Sequence, residues 1–337
     1  MAATLLRRLQ PVLALLAALT VLLVAAPAAH AEPDDEGGSK TLRAALESAA
    51  KGHVEAKNNL DNSKKRQKQL TITLGQARQK TAELQTRVSD IANRAYRQGR
   101  FNTMTLLLNS VSPDSFMERA LRLDQMAQLD GKALTGYRDA LTTTEQAKRA
   151  IDLEVKEQAK QVTIMAKKKQ QAEQALAAAG GGAVAGGFIS ASSPLAKAAP
   201  RNSDGSWPKE SCTIDDPSEG DGCITPRLLN AYQQARAAGF KRYTACFSQR
   251  SSGEHPKGRA CDFSAAAGGF ENVNASGGDR TYGNNLAAYF VKNASRLGVM
   301  YVIWYRQIWM PSTGWRSYSG SGGPAATHTN HVHLSVL

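Results

Sequence analysis

Residues 38 to 178 contain a single proline, Pro113, no tryptophan and no cysteine, and they are rich in Ala, Gln, Lys and Arg. Apolar and small side chains recur there in alternating steps of three and four. One register runs through Leu42, Leu46, Ala49, His53, Ala56, Leu60, Ser63, Gln67, Leu70, Leu74, Ala77, Thr81, Leu84, Val88, Ile91 and Ala95. A second runs through Leu134, Tyr137, Leu141, Thr144, Lys148, Ile151, Val155, Gln158, Val162, Met165, Lys169, Ala172 and Leu176. Heptads sustained this long predict coiled coil, with His53 as a structural seam residue. Between the registers lie Gly99-Arg100-Phe101 and the apolar run Met104 to Leu108. Ser112 then offers an N-cap with Pro113 at the first helical position. Two helices with a break between them predict an antiparallel hairpin with about 60 residues per arm. The apolar tip is either a packing cluster or a docking surface for a protein partner.

The start of the chain points to export. Arg7 and Arg8 precede an apolar run from Val12 to Ala26, and Ala29-His30-Ala31 fits a small-x-small cleavage site. Residues 1–31 therefore read as a signal peptide, with a mature start near Glu32. The competing reading is an uncleaved anchor, but the run is short against the roughly 20 residues of a membrane span. Removal of Arg7 and Arg8 lowers the formal charge from +13 to +11. A secreted basic chain suits anionic cell wall polymers or lipid headgroups. Nucleic acid is the competing partner; export and the lack of a binding motif argue against it.

From residue 179 to 208 the composition turns to Gly, Ala, Ser and Pro, which predicts a flexible linker. The remaining segment, 209–337, carries all four cysteines: Cys212, Cys223, Cys246 and Cys261. In an exported chain an even count predicts disulfides. Of three pairings, Cys212 with Cys223 would close an acidic loop, and Cys246 with Cys261 would join two predicted strands. A cysteine zinc site lacks the close C-x-x-C spacing. Thr225-Pro226 opens a helix ending at Gly239, and Tyr282 to Leu297 forms another. Strands are expected at Lys241 to Arg250, around Tyr243-Thr244-Ala245-Cys246-Phe247, at Arg259 to Phe263, as a pair or long strand over Val299 to Trp309, and at the tail. Trp304, Tyr305 and Trp309 read mainly as core, with one of them a candidate for lining a cleft.

Of six histidines, four (His255, His328, His331 and His333) lie in the final third. His255 and Asp262 are seven residues apart, and Pro256 and Gly258 can turn the chain between them. On a strand Asp262 faces away from Cys261 and Phe263. In the tail His331, His333 and Ser335 share one face, and Val332, Leu334 and Val336 share the other. If these strands are neighbours, His255, Asp262 and a tail histidine converge. Two imidazoles and a carboxylate suit zinc and leave a fourth tetrahedral position open. Zinc so held lowers the pKa of water and polarises a carbonyl. His328 reads as a loop residue beyond the ligands or in solvent.

The order His255-x-x-Gly258-x-Ala260-x-Asp262 followed by His331-x-His333 resembles the lysostaphin / D-alanyl-D-alanine metallopeptidase / hedgehog superfamily. The form S-x-E-H-x-x-G-x-A-x-D is similar to its D-alanyl-D-alanine carboxypeptidases. That resemblance implies metal ligands His255, Asp262 and His333, with His331 as base or transition-state stabiliser. It also implies that Arg250 holds a substrate carboxylate, against the alternative of a surface arginine. Where the carboxypeptidases place a glutamate base, this chain has Asn330; the His-x-His end is closer to the murein endopeptidase and lysostaphin branches. The helical segment, including Ala95-Tyr96-Arg97-Gln98-Gly99 read as a turn, resembles the coiled coils of secreted bacterial peptidoglycan hydrolases, which position or restrain the catalytic domain. The expected architecture is an all-α coiled-coil hairpin followed by an α+β domain with an antiparallel sheet and a zinc site. The expected function is a secreted zinc peptidase acting on peptidoglycan peptides. The alternatives are a non-catalytic zinc-bearing wall-binding module, and a coiled-coil scaffold that activates another hydrolase.

Overall fold

The computed structural model describes residues 39–337 except 189, 191, 219–220 and 319–320, and no side chains at 98–103 and 106. The expected signal peptide, residues 1–31, lies outside the described residues. Two helices come first, α1 (Lys40–Leu108) and α2 (Pro113–Ala178). Then follow β1 (Ile214–Asp215), β2 (Cys223–Ile224), α3 (Pro226–Ala237), β3 (Thr244–Ala245), a 3-10 turn (His255–Lys257) and β4 (Ala260–Ser264). The remainder is α4 (Gly277–Lys292), α5 (Ala294–Leu297), β5 (Val299–Trp304), β6 (Gln307–Met310), β7 (Gly314–Ser317) and β8 (His331–Val336). Packing divides the chain into two units. Among the described residues, one holds 52–168 and 202–206; the other holds 39–51, 169–201 and 207–337. No helix among the described residues is long and apolar enough to cross a membrane.

In the first unit α1 and α2 run antiparallel. Thr81 meets Thr144 at 3.1 Å, Gln158 donates to Gln67 at 2.8 Å, and Arg66 pairs with Glu154 at 2.7 Å. At the start of α2, Ser115 N–H donates to Ser112 Oγ at 3.2 Å and Ser112 N–H to Ser115 Oγ at 3.1 Å, a reciprocal cap. The expected break at Gly99 is corrected, because α1 continues to Leu108. A single glycine costs a long helix only about 1 kcal/mol, and the turn falls where the Ser112 cap and Pro113 restart the chain. The register of α1 is as expected, with Ala56, Leu60, Ser63, Leu74 and Ala77 buried. On α2 half of the register is shifted by one residue. The seam uses Ala133, Ala140, Ala147 and Gln161 beside Thr144, while Leu134, Leu141, Val155 and Val162 remain exposed. Either column completes a heptad with Thr144, so periodicity cannot choose. Alanines in the seam permit close approach, and the cross-helix polar pairs fix the register.

In the second unit a six-stranded antiparallel sheet has the order β3-β4-β8-β5-β6-β7. On one face Phe263, Val332, Leu334 and Val336 pack with Leu228 of α3 and Leu286 and Phe290 of α4. Thr225 Oγ1 caps α3 by accepting from Leu228 N–H at 3.3 Å, with Pro226 behind it. Trp304 is core, and its indole N–H donates to Asn284 Oδ1 at 2.9 Å. Both disulfides form, Cys212–Cys223 and Cys246–Cys261. The expected strand at Lys241 to Arg250 shrinks to the two residues Thr244–Ala245, because Cys246 N–H donates to Ser218 Oγ and Phe247 N–H to Asp216 Oδ2 instead of to a strand. Of the expected flexible linker, the part up to residue 201 packs with this unit. Gly182 N–H donates to Ser317 O, Ser317 N–H to Ala183 O, and Ala196 N–H to Asn293 Oδ1. Its small side chains let the backbone lie along β7, and Ala196 and Ala199 are buried.

Candidate metal centre

The antiparallel register carries the site. Asp262 of β4 lies directly opposite His333 of β8, and Ser264 opposite His331. Directly paired residues share a face, so both histidines and Asp262 lie on the face away from the apolar core. His255 arrives from the 3-10 turn just before β4. Gly258 closes that turn in the left-handed region, at φ 65°, where a Cβ would be strained. Its carbonyl accepts from Thr225 N–H at 2.8 Å, and its N–H donates to His255 O at 2.9 Å.

His255 Nε2 is 3.2 Å from Asp262 Oδ2 and 3.4 Å from His333 Nδ1, while His333 Nδ1 is 2.8 Å from Asp262 Oδ1. One ligand atom from each residue falls within 4.8 Å of the others, so the trio could hold a metal ion. The far nitrogens are also held. His255 Nδ1–H donates to the Cys246 carbonyl, and His333 Nε2–H donates to Ser335 Oγ at 2.8 Å. Those tautomers, assigned from the hydrogen bonds, aim the lone pairs of Nε2 and Nδ1 at the carboxylate. Three acceptors then converge where a cation would satisfy all of them, so the residues fit a divalent ion in a nitrogen and oxygen site.

His331 stands beside this trio. Its Nδ1–H donates to Asn330 Oδ1 at 2.8 Å, and its Nε2 lies 3.5 Å from Asp262 Oδ1. Asn330 is fixed in turn by donating to Glu271 O at 2.7 Å. Position 330 therefore orients His331 instead of supplying a base. Burial pushes the His331 pKa down to about 4, the Asp262 charge opposing it only in part. Burial alone would push the Asp262 carboxyl up, but His255 and His331 beside it carry it well below the ordinary range. The centre is a buried anion among imidazoles. Arg250 lies within it, with Nη2 3.6 Å from Asp262 Oδ2.

Of the two expectations for His328, a loop residue behind the ligands or one in solvent, its burial decides for the first. It sits on a loop at φ 51°, yet it is fully buried, its ring centroid 4.7 Å from His331 and 5.7 Å from His333. Neither ring nitrogen has a hydrogen-bond partner among the described residues. Burial holds its pKa well below the ordinary histidine range. The only hint in the sequence was the H-x-x-H-x-H spacing of the tail, which pairwise face counting passes over.

Fold and site together define a disulfide-bonded antiparallel α+β domain, preceded by a helical region, with a buried His–Asp–His cluster able to hold a metal ion. Within it, residues 220–329 match the family model described as VldE, C-terminal domain. The match takes in Arg250, His255, Asp262 and His328 and stops short of His331 and His333. No curated protein and no solved structure matches the chain.

Proposed function

We propose that the chain is a secreted zinc peptidase acting on peptidoglycan peptides. The carrying observation is the convergence of His255 Nε2, Asp262 and His333 Nδ1, each histidine fixed from behind by a hydrogen-bond partner. Zinc on these three ligands would supply Lewis acidity and a lowered water pKa. The chain's own groups do the rest. His331, neutral and held by Asn330, has Nε2 directed into the site, where it accepts a proton. His328 lines the same space with two unsatisfied nitrogens and is a donor or acceptor for a peptide group. Arg250 orients a substrate carboxylate beside the centre. Both disulfides and the basic charge support an exported protein that meets an anionic wall.

Burial also supports the non-catalytic reading, since His255, His331 and His333 are all fully buried. Metal content of the purified chain, with mass analysis of peptidoglycan incubated with it, separates the two. Zinc near one per chain, lost in His333→Ala, together with new peptide ends, is the expected result. Zinc without new ends leaves a zinc-bearing wall-binding module. No zinc in the wild-type chain refutes both.

A further inference from the structure

The histidine-bearing face of the sheet is covered by the start of α1, which belongs to the same packed unit. Leu46 and Arg43 border a cavity of about 10 Å³ whose other walls are Tyr301, Ile303, Ile308 and Tyr318. This is room for about one water, so the helix and sheet are essentially in contact. Two of those walls lead to the centre. The Tyr301 ring stacks on His333 with centroids 5.6 Å apart and planes 10° apart, and the Tyr318 ring meets His328 at 6.2 Å. Both tyrosines are buried. The helix also holds the segment that carries His255. Arg43 Nη2 donates to Ser252 Oγ at 2.7 Å, and Glu47 pairs with Lys257 at 2.9 Å and Arg259 at 3.5 Å. Lys257 and Arg259 pair as well with buried Glu254, at 2.7 and 2.9 Å, next to His255.

We infer that residues 42–47 of α1 form a built-in plug, pinning Tyr301 and Tyr318 onto the imidazoles and the 252–259 segment onto the centre. A polymer cannot reach ligands at 0–1% exposure, so access requires these contacts to release. The paired strands β4 and β8 hold Asp262, His331 and His333 from the other side, so release frees the tyrosine rings to turn and loosens the 252–259 segment while these three stay in place. As regulation of a hydrolytic centre, the plug rests on the function proposed above. As a closure of the histidine face, it does not.

The test uses the metal-free full chain and diethyl pyrocarbonate, with modification of His328, His331 and His333 mapped by mass spectrometry. In the wild type these residues should react far more slowly than free N-acetylhistidine. The near-isosteric Glu47→Gln combined with Arg43→Ala should raise the rates by about threefold or more, from the loss of partly exposed polar contacts. Leu46→Ser should raise them further, and added salt should speed only chains that keep Glu47. Near-UV circular dichroism and intact disulfides verify the fold of each variant. Unchanged rates in folded variants, or fast modification of the wild type, overturn the plug. Variants that open to the reagent yet bind no zinc and release no peptide refute the hydrolase and leave the plug standing. Wall cleavage by the wild type at the variants' rate does the reverse.

Discussion

Replacing Gly258 by alanine tests whether one backbone position holds the centre together. Two costs can be worked from the structure. A left-handed φ of 65° costs an alanine roughly 1–2 kcal/mol. The new Cβ would also stand 2.6 Å from Cys223 O and 2.8 Å from Ile224 Cα, both backbone atoms, and 2.5 Å from the disulfide-bonded Cys212 Sγ. None of these can rotate away, and overpacking of this kind costs about 1–3 kcal/mol. The total is about 2–5 kcal/mol. At roughly 2–4 °C per kcal/mol for a unit of this size, the melting midpoint should fall by about 4–20 °C. Scanning calorimetry of the full chain measures it, and zinc titration beside it should show weakened binding, because His255 sits on the turn that must move. Asn tolerates the left-handed region but not the contacts, so Gly258→Asn should recover only part of the loss. A shift under about 0.5 kcal/mol for Gly258→Ala would refute the reasoning, as would full rescue by Asn.

Three further outcomes follow from named contacts. Ser335→Ala removes the partner of His333 Nε2; metal affinity in a competition titration should drop about 10–100-fold with the melting midpoint nearly unchanged. Removing the Cys246–Cys261 bridge with paired alanines should cost about 3 kcal/mol for its 15-residue separation, seen as a lower denaturant midpoint. Burial in the hairpin seam lowers the pKa of His53, so the folded state favours the neutral ring. The unfolded chain then binds the extra proton first, and hairpin stability should fall as pH drops below about 6.5. Circular dichroism melts across that range should lose this acid limb in His53→Leu.

Much of the architecture was legible because local patterns have few physical solutions. A heptad repeat over residues 42–95 admits little but a helix with one apolar seam, and the Ser112-Pro113 pair marks where the second helix starts. Alternation in His331-Val332-His333-Leu334 assigned both imidazoles to one face before any partner strand was known. Periodicity could not choose between neighbouring columns on α2, where Ala133 and Ala140 took the seam and Leu134 and Leu141 were left outside. Nor could composition show that a Gly- and Ala-rich segment would dock along β7, because small side chains suit a close backbone contact as well as a free linker. The candidate ligand types and their spacing were readable in the sequence. Their convergence was decided by the pairing of Asp262 with His333 across two strands far apart in the chain. The anchoring of Asn330 on Glu271 and the cover of α1 over Tyr301 depend on contacts between segments tens to hundreds of residues apart, which no local pattern records.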